Sequence, residues 1–130
     1  MKYGEKEDMI LIAEDDIPTN ALFQAFLRSG FRGKIISTYN GLEAVEKCLK
    51  YHPNLVFMDI NMPVKDGITA IRDLRSQGFN NPIVVVSAYG DQERMKAYAV
   101  GANSVTTKPI DRVRFLGKIE EFLGPAKISV

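Results

Sequence analysis

The stretch Met9-Ile10-Leu11-Ile12-Ala13-Glu14-Asp15-Asp16 decides how the rest of the chain is read. Apolar residues stand at successive positions with no polar residue between them, as in a strand covered on both faces and not only on one. Strands of that kind belong to parallel sheets wrapped by helices. The run then breaks into three consecutive acids, so the carboxyl end of this strand is strongly negative.

Runs of similar character follow at Leu55–Met58 and Ile83–Val86, with a weaker one at Lys34-Ile35-Ile36-Ser37-Thr38 and a more polar one at Ser104-Val105-Thr106-Thr107. Segments of helical period separate them. Leu22, Phe23, Phe26 and Leu27 mark the first helix, with Pro18 in its opening turn and Gly30 at its end, and Leu42, Val45, Cys48 and Leu49 mark the second. The third carries Ile68, Ile71 and Leu74, the fourth Met95, Tyr98 and Ala99, and the fifth Val113, Leu116, Ile119 and Leu123. Asp66, Asp91 and Asp111 are expected to cap these three. Strand–helix alternation with right-handed crossovers predicts an α/β fold: a flavodoxin-like, doubly wound (βα)5 three-layer sandwich with a parallel five-stranded sheet in the order 2-1-3-4-5.

Length and charge narrow the function. The 130 residues suit one domain, 1–130, with its core at about 8–123. Seventeen basic against sixteen acidic residues leave a formal charge of +1, which argues against nucleic-acid binding by bulk charge. No apolar run approaches the roughly 20 residues of a membrane span. The charged N-terminus, Met1 to Asp8, lacks the pattern of a secretory signal, so a cytoplasmic protein with no membrane partner is expected. Cys48 and His52 are the only residues of their types, which leaves no internal disulfide, no zinc site and no Ser-His-Asp triad. Cys48 reads as a buried small hydrophobe and His52 as a helix-end residue before Pro53.

Ligands of such sheets bind beyond the carboxyl ends of the strands, where the winding reverses, here between strands one and three. Strand one ends in Glu14-Asp15-Asp16, strand three in Asp59 followed by Ile60-Asn61-Met62-Pro63, strand four in Ser87-Ala88 and strand five in Lys108-Pro109. Each fragment alone is an ordinary cap, turn or loop; their convergence is not. Crowded carboxylates repel and must take up protons, pair with a cation or hold a metal, and an all-oxygen donor set suits Mg²⁺ better than zinc. A carboxylate beside Mg²⁺, an ammonium and a hydroxyl is suited to in-line phosphoryl transfer, with Asp59 as nucleophile.

The chain resembles the receiver domains of two-component response regulators. The residues that carry the resemblance are Ile10 to Asp16, Met58 to Pro63 with Asp66-Gly67, Val86-Ser87-Ala88 and Lys108-Pro109-Ile110, and it extends from about Asp8 to Leu123. It implies a phospho-accepting signalling domain, not an enzyme in the ordinary sense. Asp59 would take a phosphoryl group from a phosphohistidine of a histidine kinase or histidine phosphotransfer protein. Asp15 and Asp59 would bind Mg²⁺ by side-chain oxygens, Asn61 by its backbone carbonyl and Glu14 mostly through water. Lys108 would pair with Asp59 before transfer and with phosphoryl oxygens afterwards, and Ser87 would couple the new group to the surface of helix four, strand five and helix five.

Three positions depart from or vary within that family. Val105 stands where the family often has a switching Phe or Tyr, and Tyr89 and the Asn61 side chain are expected to modulate water access. After Leu123 only Gly124 to Val130 remain, so no effector domain is expected and output would pass through surface contact with an unidentified target, for instance around Arg94, Met95, Tyr98, Arg112, Arg114 and Phe115. A piece of a hybrid kinase would read the same way. An aspartate-nucleophile phosphatase would carry Asp-x-Asp on strand one and a cap domain, and a flavin carrier would need a hydroxyl- and glycine-rich loop where Glu14-Asp15-Asp16 would repel phosphate. The remaining alternative is a phosphorylation-independent interaction module with a receiver fold.

Overall fold

A computed structural model describes residues 7–88 and 90–129. Strands β1 (Met9–Ala13), β2 (Lys34–Thr38), β3 (Leu55–Met58), β4 (Ile83–Ser87) and β5 (Ser104–Thr107) alternate with helices α1 (Ile17–Gly30), α2 (Gly41–Tyr51), α3 (Gly67–Ser76), α4 (Asp91–Val100) and α5 (Arg112–Leu123). All strand pairs are parallel and their order is β2-β1-β3-β4-β5, as the sequence predicts. The register pairs Ala13 with Met58, so Glu14 and Asp59 leave adjacent strands at the same height.

The uninterrupted apolar runs divide alternately between two cores. Ile10, Ile12, Leu55, Phe57, Val84 and Val86 face α1 and α5, while Leu11, Ala13, Val56, Met58, Ile83 and Val85 face α2, α3 and α4. Period-two side-chain alternation makes every such residue count, because both faces are dry. On the first face the rings of Phe57 and Phe115 sit 4.1 Å apart, and that of Phe23 lies 4.9 Å from Phe115. Each such burial stabilises the fold by about 1.5–3 kcal/mol. Cys48 is fully buried, and His52 closes α2 in the left-handed region with φ 52°.

Helix starts follow the short polar residues, with one correction. Asp16, Asn40, Asp66 and Asp111 accept the backbone N–H of Thr19, Glu43, Thr69 and Arg114 respectively. Asp91 does not cap α4; Gly90 holds that position without a side-chain bond, and Asp91 contributes only charge in the first turn. The apolar stripes also need correcting. Leu22, Leu42, Met95, Tyr98 and Val113 are exposed, because α1, α2 and α5 bury the neighbouring positions of each stripe and α4 buries only Ala97.

At the end of the sheet opposite the acids, Arg75 ties α3 to the turns around it. Its guanidinium donates to the carbonyls of Phe79, Asn81 and Gly101 and to Asn103 Oδ1, at 2.7 to 3.1 Å. Asn103 in turn accepts from the Ile83 amide at the start of β4. A lysine cannot reach this fan of acceptors. Arg75→Lys is expected to lower unfolding free energy by about 2–4 kcal/mol in urea titration, since several acceptors lose their donor together. Val64, exposed in the β3–α3 loop, holds φ 69°, a strained value for a β-branched side chain. Val64→Gly is expected to raise stability by about 1 kcal/mol in the same measurement.

Candidate functional site

The ends of β1, β3 and β5 close around a solvent-open cleft of about 200 Å³ lined by Glu14, Asp15, Asp16, Asp59, Asn61, Ala88 and Lys108. The Asp59 amide donates to the Ala13 carbonyl at 2.9 Å, which fixes one acidic strand end against the other. Glu14 and Asp59 are buried, whereas Asp15 and Asn61 are exposed. Asp16 rims the cleft, but its carboxylate is occupied as the α1 cap, which holds its pKa down through hydrogen bonds from Thr19.

Lys108 arrives from the end of β5, its amide bound to the Ser87 carbonyl at 2.8 Å and its peptide bond to Pro109 cis. The ammonium reaches both buried carboxyls, 2.5 Å from Glu14 Oε1 and 3.5 Å from Asp59 Oδ2. The resemblance stresses Lys108 with Asp59; here Glu14 is the nearer partner. Ser87 is buried at the end of β4 beside the lining residue Ala88. Val105 is half-buried and packs on the α2–α3–α4 core, and its amide donates to the Tyr98 hydroxyl at 3.1 Å. Tyr89 lies outside the described residues.

Burial is the main cause of the site's unusual acidity. It pushes Glu14 up to about 7, with the negative charge of Asp59 adding and the Lys108 hydrogen bond opposing. Asp59 is raised as well, again by burial, against the charge of Lys108 and a hydrogen bond with Glu14. For Lys108, burial favours the neutral amine, but the two carboxyls win and its pKa rises. The pair of acids therefore binds a proton more tightly than free carboxylates do, while the lysine stays charged.

The same crowding suits a hard cation. Glu14, Asp15 and Asp59 each offer a carboxylate oxygen, and these oxygens lie within 4.8 Å of one another. All three ligands are oxygen donors on one side of the cleft, the donor chemistry of Mg²⁺ or Ca²⁺ and not of a thiolate or imidazole metal.

Three residues brace the site in roles that the sequence reading did not assign. Asn20 is fully buried and its amide donates to the carbonyls of Glu14 at 2.9 Å and Thr38 at 3.1 Å. Thr38 donates its hydroxyl to the Ile12 carbonyl at 2.9 Å, so β1 and β2 are locked just below the acids. Gly67 admits no side chain, because a Cβ there would lie 2.0 Å from the Asp59 carbonyl oxygen. The only signal for Asn20 was a polar residue in register with Phe23 and Leu27 on the buried stripe of α1.

A parallel sheet that gathers an acid set, an aspartate, a buried hydroxyl residue and a lysine at four strand ends defines a signal-receiving domain. The response regulator receiver domain matches residues 10–120, and the chain belongs to this family of two-component signalling proteins. Among curated relatives, the chemotaxis protein CheY of Halobacterium salinarum is 38% identical over 85 residues, covering 65% of this chain and 71% of its own. The polar-differentiation response regulator DivK of Brucella ovis is 32% identical over 123 residues, covering 90% and 97%. Among solved structures, the CheX–CheY–BeF3–Mg²⁺ complex from Borrelia burgdorferi aligns with a TM-score of 0.80 at 26% identity, covering 89% of each chain. The chain is thus a non-enzymatic signalling domain with an acidic pocket of Glu14, Asp15 and Asp59.

The raised Glu14 has a consequence for stability. The folded protein keeps that proton up to about 7, while the unfolded chain loses it near 4.5, so the folded state binds more protons in between. Stability contributed by this group is therefore greatest at the acid end of that window and falls as pH rises through it. With divalent ions chelated, unfolding free energy is expected to drop by about 1–3 kcal/mol between pH 5.5 and 8, and Glu14→Gln should flatten the slope in urea titrations.

Proposed function

We propose that the chain accepts a phosphoryl group on Asp59 from a phosphohistidine of a histidine kinase or histidine phosphotransfer protein. The observation that carries the reading is the position of Asp59, between a carboxylate set fit for a divalent cation and the Lys108 ammonium at 3.5 Å, in a cleft open to an incoming donor. Magnesium, held by Glu14, Asp15, Asp59 and the Asn61 backbone, would supply positive charge against the phosphoryl oxygens. The Borrelia CheY structure, solved with Mg²⁺, supports that choice of metal.

An Asp59 carboxylate oxygen attacks phosphorus, the new O–P bond forms as the P–N bond to the histidine breaks, and the departing ring nitrogen keeps the electron pair and takes a proton from water. Lys108 stabilises the charge that gathers on the phosphoryl oxygens, and releases its closer hold on Glu14 to do so. Ser87 moves to donate its hydroxyl to the new group, which biases the β4–α4 loop toward one of two positions. Asn61 at the cleft, and Tyr89 by its place two residues after Ser87, set water access and hence acyl-phosphate lifetime. Output passes through the face of α4, β5 and α5 to a target protein. Loop movement, not ring rotation at Val105, carries the signal.

Residues 8–123 form the core of this single receiver unit. Work in the cytoplasm, among kinases and without nucleic acid or membrane, agrees with the near-neutral charge and with the absence, among the described residues, of any helix long and apolar enough to cross a bilayer. The test is intact mass after incubation with acetyl phosphate and Mg²⁺. The parent protein is expected to gain one phosphoryl mass, and neither Asp59→Asn nor chelator-treated protein should. No gain in a sample shown to bind Mg²⁺ would instead support the phosphorylation-independent interaction module.

A further inference from the structure

The two edges of the sheet are finished differently. At β5, the Tyr98 hydroxyl takes the Val105 amide, and Arg114 and Lys118 donate to the Thr106 and Ser104 hydroxyls, so side chains from both flanking helices cover the strand. At β2 no such cover exists among the described residues. The Lys34 amide donates to Asp8 and the Thr38 carbonyl accepts from Glu14, so Lys34, Ile36 and Thr38 turn their backbone groups toward β1. By the alternation of a strand, the N–H and C=O groups of Ile35 and Ser37 point away from the sheet, and among the described residues no strand lies beside them.

Beside that edge runs an open groove of about 490 Å³, lined by Lys34, Ile35, Ile36, Ser37, Lys47 and Tyr51, with Met9 at one end. Its lining joins the apolar Ile35, Ile36 and Tyr51 to the cationic Lys34 and Lys47. Lys47 lies over the Tyr51 ring at 5.7 Å, and neither Lys34 nor Lys47 has a carboxylate partner among the described residues. Ser37 Oγ is the one buried side-chain oxygen or nitrogen among the described residues with no hydrogen-bond partner. Among the described residues, strand groups without a neighbouring strand and unneutralised lysines thus meet in one place, at the edge of the sheet away from β5.

We infer that this edge is a docking site for an extended acidic segment of a partner protein, which adds to β2 as a sixth strand. Main-chain hydrogen bonds to Ile35 and Ser37 would hold the segment, apolar side chains would cover Ile35 and Ile36, and carboxylates would pair with Lys34 and Lys47. Charge selects this occupant. A second copy pairing through the same edge would set lysines against lysines, and a small anion would leave the strand groups unpaired. The inference is independent of phosphorylation at Asp59, which lies in the strand-end cleft and not in this groove.

The test uses ¹⁵N-labelled protein and three probes: an acetylated, amidated hexapeptide of alternating Glu and Val, its Lys–Val counterpart, and inorganic phosphate. The Glu–Val peptide is expected to shift the Ile35 and Ser37 amides and slow their hydrogen exchange at least fivefold, with Lys34→Gln/Lys47→Gln weakening its affinity at least tenfold. Unchanged Ile35 and Ser37 amides, or equal binding of the Lys–Val peptide, would overturn the proposal. So would the same shifts with phosphate alone, which would mark a small-anion site. Protection of these amides that grows with protein concentration and no peptide would assign the edge to a second copy and overturn it equally. Spectral dispersion and the urea midpoint of the double variant establish that it is folded.

Discussion

Two buried carboxyl groups, Glu14 and Asp59, stand side by side at the ends of neighbouring parallel strands, and much of the surrounding structure exists to hold them there. Isolated, such a pair would be costly: each acid loses solvation, and the charge of Asp59 raises the pKa of Glu14 further. Lys108 offsets part of the cost by reaching both. The offset is incomplete, because burial still leaves both acids above their ordinary range. What makes the pocket unfavourable for two negative charges makes it favourable for a group that brings positive charge with it. The same chemistry that strains the resting fold therefore suits it to a hard cation.

Holding that geometry is the task of residues that touch no ligand. Asn20 and Thr38 fasten the last carbonyls of β1 and β2, and the side-chain-free face of Gly67 lets α3 start against the Asp59 backbone. At the far end of the sheet, the Arg75 fan joins α3 to the turns that precede β4 and β5. Between these ends the two apolar cores fix strand height, and strand height brings Glu14 and Asp59 level. Against this rigid frame α4 is the exception. It buries only Ala97 and has no side-chain cap, which places it at the low-stability end of the fold.

Most of the fold was legible because parallel strands covered on both faces write continuous apolar runs, and Met9–Ala13, Leu55–Met58 and Ile83–Val86 do so. The helix faces were less legible. Leu22, Leu42, Met95, Tyr98 and Val113 fit a helical period yet lie in solvent, since periodicity says which residues share a face but not how wide a stripe the neighbouring element will cover. Asp91 looked like a cap because aspartate often is one; the chain instead enters α4 through Gly90.

The sequence by itself determined the order of elements, the strand ends that carry Glu14, Asp15, Asp59, Ser87 and Lys108, and hence the family, because local pattern and chain order are enough for each. Tertiary structure alone decided which acids compete for Lys108, that the Asp16 carboxylate at the cleft rim is taken up in capping α1, that Asn20 braces the site, and that among the described residues β2 has an open cationic edge while side chains cover β5. Those outcomes depend on distances between residues far apart in the chain. Spacing along one strand or helix cannot encode them, for they arise only when strand register, burial and the reach of long side chains act together.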